Sequence, residues 1–191
     1  ATTISVVDSS GGMLPDQVAR YVGVLKAGLD VRIGFHGHNN LLLANANSLA
    51  AVQNGASVVD TTLLGIGRGG GNAQTETMLV VLEKAGRTTG IDPLHVARIA
   101  ERYVLPKQAR LKGSNEIELL YGFAQFHSAY TKRVQDIAAA FDVPYQDLIL
   151  AVSRYTKEDP SEDLVREVAA QLRDNGRAEI HFPKFHHRSW A

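Results

Sequence analysis

The chain has 191 residues, 45% of them apolar, enough for one sizeable core or one domain with an appendage. Its 20 basic and 20 acidic residues cancel, so no global field favours nucleic acid or an anionic membrane. It has no cysteine, which excludes disulfides and thiolate metal sites, and no apolar run near the roughly 18–20 residues that span a bilayer. Residues Ala1 to Asp8 lack the basic start and long apolar core of a signal peptide, so a cytoplasmic protein is expected.

In chain order, Ile4-Ser5-Val6-Val7 reads as a short strand, ended by the loop Asp8-Ser9-Ser10-Gly11-Gly12. Pro15 then opens a helix whose apolar positions Val18, Tyr21, Val22 and Leu25 recur at helical spacing, closed by Gly28. Val31 to Phe35 is a second strand, and Leu42 to Asn54 a second helix ended by Gly55. Val58 to Leu63 is a third strand, and a third helix runs from about Ala73 to Lys84. This βα-βα-βα order with short loops predicts a parallel sheet with helical crossovers. After Pro93 the pattern turns helical: His95 to Tyr103, then a loop from Pro106 to Ser114, and a long helix or helix pair from Glu116 to Phe141. Val143 to Arg154 and Ser161 to Asp174 are two more. The division expected is 1–106 for the αβ part, 107–176 for a helical domain and 177–191 for a loose tail.

Two strand ends carry the chemistry. His36 and His38 stand at i and i+2, so an extended backbone presents both imidazoles on one face. A mixed nitrogen and oxygen site of that kind suits Mn, Fe or Zn, although two satisfied buried histidines give the same spacing. The second end is Gly65-Ile66-Gly67-Arg68-Gly69-Gly70-Gly71-Asn72, a glycine-rich turn between strand and helix. It fits close strand–helix packing or a phosphate cradle, but lacks both the Lys-Ser/Thr of a P-loop and the Rossmann spacing. Asp60 reads as structural, and the adjacent His186 and His187 as solvated.

The ordered set Asp-Ser-Ser-Gly-Gly-Met at 8–13, His-Gly-His-Asn-Asn at 36–40 and Ala-Asn-Ala-Asn-Ser at 44–48 resembles the manganese-dependent 4-hydroxy-2-oxovalerate aldolases. These belong to the HMG-CoA lyase-like superfamily of metal-dependent TIM-barrel aldolases, lyases and Claisen-condensing synthases. The match continues through Val59-Asp60 and the glycine turn to Tyr121-Gly122-Phe123-Ala124. The resemblance implies an α/β fold: the last three βα units of a (β/α)8 barrel, followed by an all-helical C-terminal domain. His36 and His38 match the two metal-binding histidines, and Ser9, or Ser10 under a one-residue shift, a serine beside the bound keto acid. Asn72 lies near the metal site by the same match, and Asp8 is a positioning residue. The implied cofactor is a divalent metal, Mn first, with Zn, Fe, Co and Mg as alternatives.

Two departures stand out. The family's Thr-Leu-Arg-Asp-Gly-type motif, which supplies the third metal ligand from the first barrel strand, is absent. His127 falls where the aldolases carry a tyrosine; a core or interface histidine is equally compatible with that position. A three-strand slice leaves two open edges and an uncovered interior. The barrel is therefore expected to be completed by another chain, or a missing segment, bearing the Arg-Asp-Gly motif. The expected activity is reversible cleavage of a 4-hydroxy-2-oxo acid to pyruvate and an aldehyde, with His127 as the catalytic base and a small 2-oxo acid as ligand. Alternatives are a Claisen-type acyl-CoA synthase, or a non-catalytic docking half. In the resembled aldolases the helical domain also docks an acylating aldehyde dehydrogenase, which makes that enzyme a candidate partner.

Overall fold

A computed structural model describes residues 1–108, 115–157 and 159–175. Three parallel strands, β1 (Thr3–Asp8), β2 (Arg32–Gly37) and β3 (Val58–Asp60), form one sheet in the order β1-β2-β3. Between and after them run α1 (Pro15–Gly28), α2 (Ala44–Gln53) and α3 (Thr75–Lys84). Then come α4 (Pro93–Ile99), α5 (Glu116–Ala124), α6 (Thr131–Phe141), α7 (Tyr145–Val152) and α8 (Glu162–Asn175). The chain divides into two compact units, one ending at Ser128 and the other beginning at Ala129. The tail and most of the expected 106–114 loop, with His186 and His187, lie outside the described residues.

Strand periodicity sorts the first unit. Ile33 and Phe35 of β2 point to one face and pack with Val18 and Val22 of α1 and Ala51 of α2 in a closed core. Parallel register sets Val7 opposite His36, and His36 opposite Asp60, on the other face. Burying the first set drives folding, because each fully buried large apolar side chain contributes about 1.5–3 kcal/mol.

Element ends differ from the sequence reading for identifiable reasons. β3 stops at Asp60 rather than Leu63, because Leu64 takes a left-handed φ of 52° inside a short 3-10 turn. Its amide is held there by the Glu76 carboxylate at 3.1 Å. α2 starts at Ala44 rather than Leu42, which has φ 60°. The side-chain oxygen of Asn39 accepts from the Ala44 amide at 3.0 Å, filling an end-of-helix vacancy from outside the helix. α4 runs on into a π turn at Ala100–Val104 and a 3-10 turn at Leu105–Lys107, the latter where a loop was expected.

The stretch from 116 to 141 is a helix pair. α5 begins with a reciprocal cap: Glu118 N–H donates to Asn115 and the Asn115 N–H to the Glu118 carboxylate. It ends at Gln125 in the left-handed region. Gly122 of α5 lies against Gly12 after β1 and Leu41 after β2, so the helix caps the C-terminal ends of these strands. In the second unit α6, α7 and α8 pack on one another through Val134, Ile137, Leu148, Val152, Val165 and Val168. Among the described residues no helix is long and apolar enough to cross a membrane.

Candidate active site

Three loops leave the strands at the same end of the sheet, and backbone hydrogen bonds stitch them together. His38 N–H donates to the Asp8 carbonyl at 3.1 Å, Asn39 N–H to Gly71 at 2.9 Å, and Ala73 N–H to Gly37 at 3.3 Å. Asparagine side chains complete the work. Asn40, 2% exposed, donates to the Ser10 carbonyl at 2.7 Å and accepts from the Gly70 amide at 2.7 Å, bridging all three loops. Asn45 and the Gln74 backbone bond reciprocally, and Asn47 donates to the Met13 carbonyl at 2.9 Å.

On this frame His36 and His38 converge: their ring centroids are 5.2 Å apart with planes at 82°. His36 is the penultimate residue of β2, and His38 lies just beyond the strand in an isolated bridge to Asn72. Nδ1 of His36 stands 3.4 Å from the Asp60 carboxylate, an arrangement that leaves Nε2 as the outward nitrogen. Burial lowers the His38 pKa, and the charges of His36 and Arg68 lower it further, while hydrogen bonds to the backbone at Gly71 and Arg68 oppose them. A neutral, backbone-anchored imidazole is the form that binds a metal. The two rings together fit a divalent cation as a partial ligand set. Among the described residues no cluster of three or more His, Asp, Glu or Cys side chains joins them.

The remaining predicted residues gather at the same strand ends. Asp8, 3% exposed, accepts from the amides of Gly12 at 3.1 Å and Met13 at 3.0 Å, and from the Ser10 hydroxyl at 3.3 Å. Its carboxylate therefore shapes the β1 loop. Ser10 is tied to it, whereas among the described residues the Ser9 hydroxyl has no hydrogen-bond partner. Asn72 donates to the Ile66 carbonyl at 3.1 Å and leaves its own side-chain oxygen buried and unpartnered. His127 follows α5, whose Gly122 lies against Gly12 and Leu41. Partial burial, then the charge of Arg68, lower its pKa, against a hydrogen bond to its own backbone.

Part of the glycine turn is committed to holding the loops together. The amides of Gly70, Gly71 and Asn72 donate to Asn40, Arg68 and Gly65, so they point into the protein. Arg68 is the site residue that sequence reasoning passed over. Its charge acts on both His38 and His127, and the available signal was a single cation set inside a run of glycines.

A parallel sheet with helical crossovers and candidate ligands at the strand ends makes this an α/β fold, an arrangement shared by TIM-barrel proteins. The carboxyl transferase domain of Rhizobium etli pyruvate carboxylase has a similar fold, with a TM-score of 0.70 at 19% identity, over 92% of this chain and 32% of that one. The profile of the family described as HMGL-like matches residues 1–102, and the chain belongs to that family. It is 38% identical over 172 residues to a 4-hydroxy-2-oxovalerate aldolase of Moorella thermoacetica, covering 90% of this chain and 51% of the relative. It is 40% identical over 176 residues to a 4-hydroxy-2-oxovalerate aldolase of Streptomyces tendae, covering 91% and 48%. The chain thus spans about half the length of these relatives.

Proposed function

We propose that this chain is one part of a divalent-metal-dependent pyruvate-type aldolase. It would cleave a 4-hydroxy-2-oxo acid reversibly to pyruvate and an aldehyde. The observation that carries this reading is the convergence of His36 and His38 at the strand ends, on the sheet face opposite the core. That face is open. Val7 is 54% exposed, and the Asp60 side chain 58%. The proposed complement is the rest of a barrel, carrying an Arg-Asp-Gly strand with the missing carboxylate, from a second polypeptide or a segment outside this sequence. An acylating aldehyde dehydrogenase is the further partner this reading proposes.

His36 and His38 would hold the cation, Mn in the first instance. When bound, it supplies Lewis-acid stabilisation of negative charge at the 2-oxo oxygen. The chain's own groups do the rest. Ser9 offers its hydroxyl to the keto acid, and Asp8 holds the loop that presents it. His127, kept neutral by burial and by Arg68, takes the 4-hydroxyl proton as the bond between C3 and C4 breaks. The aldehyde leaves, and C3 recovers a proton to give pyruvate.

The test is the native mass and metal content of the assembly isolated from its own cells, for the natural chain and for His36→Ala with His38→Ala. About one metal per barrel in the natural assembly, lost completely in the double variant, is the expected outcome. Equal metal content in the two removes the ligand assignment. A metal-free assembly of this chain alone removes the aldolase reading.

A further inference from the structure

We infer that Asp60 is a positioning residue for His36: its carboxylate accepts from Nδ1–H, which leaves Nε2, with its lone pair, as the nitrogen free to bind a cation. The inference rests on the ligand reading of His36 proposed above, and on the geometry of the sheet for the pairing.

The backbone sets that pairing. His36 of β2 and Asp60 of β3 are register partners in a parallel ladder, so their side chains leave the same face of the sheet side by side. Nδ1 stands 3.4 Å from Asp60 Oδ2. That is slightly longer than a closed N–H···O bond, and the Asp60 side chain, over half exposed, has room to close it by rotation. On the other side of His36 the register partner is Val7, which has no polar side-chain atom. The cross-strand neighbours of the ring therefore offer it one acceptor. Because the carboxylate meets Nδ1, it acts through the ring rather than as a ligand itself, fixing the tautomer and making Nε2 more basic.

Two strands end on an aspartate, and the two are used differently. Asp8, at the end of β1, is buried and commits its oxygens to the Gly12 and Met13 amides and the Ser10 hydroxyl. Asp60, at the end of β3, holds no backbone amide. Among the described residues its carboxylate has no hydrogen bond or ion pair other than the contact with His36. The turn that follows is held without it. Thr61 bonds to Thr75 at 2.9 Å, Thr62 to the Ile66 carbonyl at 2.8 Å, and the Leu64 amide to Glu76. An aspartate whose sequence reads as structural thus faces a candidate ligand instead of the loop.

The experiment compares the natural assembly with Asp60→Ala and Asp60→Asn, each intact, stripped of metal and carrying isotope-labelled histidine. At about pH 8.5, above the ordinary histidine range, nitrogen NMR shifts report which ring nitrogen holds the proton. The His36 signal is identified by its loss in His36→Ala. Zinc ion alone, competed against a chelator, gives the affinity, and denaturant unfolding of the stripped assembly gives the stability. The natural His36 is expected as the Nδ1–H tautomer. Asp60→Ala is expected to move it toward Nε2–H and to weaken zinc binding about 10–100-fold, with the unfolding midpoint unchanged. Asp60→Asn keeps an acceptor oxygen, and is expected to keep the tautomer and part of the affinity. The positioning role is overturned by a natural ring protonated on Nε2, by a tautomer indifferent to Asp60→Ala, or by zinc affinity within about twofold of the natural value in that variant. A weakened affinity that comes with a lowered unfolding midpoint in both variants also overturns it, as a loss of structure. If the natural assembly binds no zinc while Asp60→Ala still shifts the tautomer, the ligand reading falls and the hold of Asp60 on the ring stands.

Discussion

The two faces of β2 have opposite fates although their residues alternate along a single strand. Ile33 and Phe35 are 0% and 1% exposed against α1 and α2, whereas His36, between Phe35 and Gly37, keeps 27% of its side chain accessible. Its neighbours across the sheet, Val7 and Asp60, are more exposed still. One face is finished within this chain and holds the fold. The other is unfinished, and it carries the histidines. Core and candidate ligands thus fall on alternate residues, so the face that carries the histidines is open without loosening the core.

The largest expected effect separates the faces directly. Phe35→Ala should cost about 3–5 kcal/mol in denaturant unfolding, since it leaves a cavity in a closed core. Val7→Ala, one position away across the sheet, should stay within about 0.5 kcal/mol in the isolated chain. If Val7→Ala becomes costly once a complementary barrel portion is supplied, the inner face is covered in the assembly; if it is costly without one, the contrast breaks.

A smaller effect is expected at the join between the faces. Asp8→Ala strips the partner from two amides at the end of β1, and should cost about 1–3 kcal/mol while leaving the sheet register intact. Backbone NMR shifts confined to residues 8–14 and 37–41 would show that register is retained.

The smallest effect is with pH. His38 and His127 both have pKa values lowered below the ordinary 6.5, so the unfolded chain binds protons more readily than the folded one. Their contribution is fully present above about pH 6.5 and is lost as the pH falls through the lowered folded values. The unfolding midpoint should therefore drop between about pH 7.5 and about pH 5.5. A midpoint that rises on acidification would mean the rings are held as imidazolium.

Much of this arrangement was legible because β-strand and helix periods differ so clearly. Val31 to Phe35 is apolar, the flanking helices repeat at three and four, and His36 and His38 share parity. The element ends were harder, since they depend on groups distant in sequence. Nothing local shows that Glu76 holds Leu64 in a left-handed turn, or that Asn39 supplies the cap of α2. Arg68 was missed for a related reason. In a balanced sequence one more arginine reads as a solvated charge, and its meaning appears only when the turn folds beside His38. His127 was singled out through the resemblance alone, and the docking of Gly122 against Gly12 and Leu41, which positions the helix before it, is likewise not visible in the sequence.

Asn40 has a consequence of its own. One carboxamide is shared by the loops that follow β1, β2 and β3, with its donor end committed to the first and its acceptor end to the third. None of the three can therefore shift without breaking a bond held by another, and the rim of the site moves as one body or not at all. In the aldolase proposed above, selectivity among substrates would then come from which side chains the rim carries rather than from a contour that adapts.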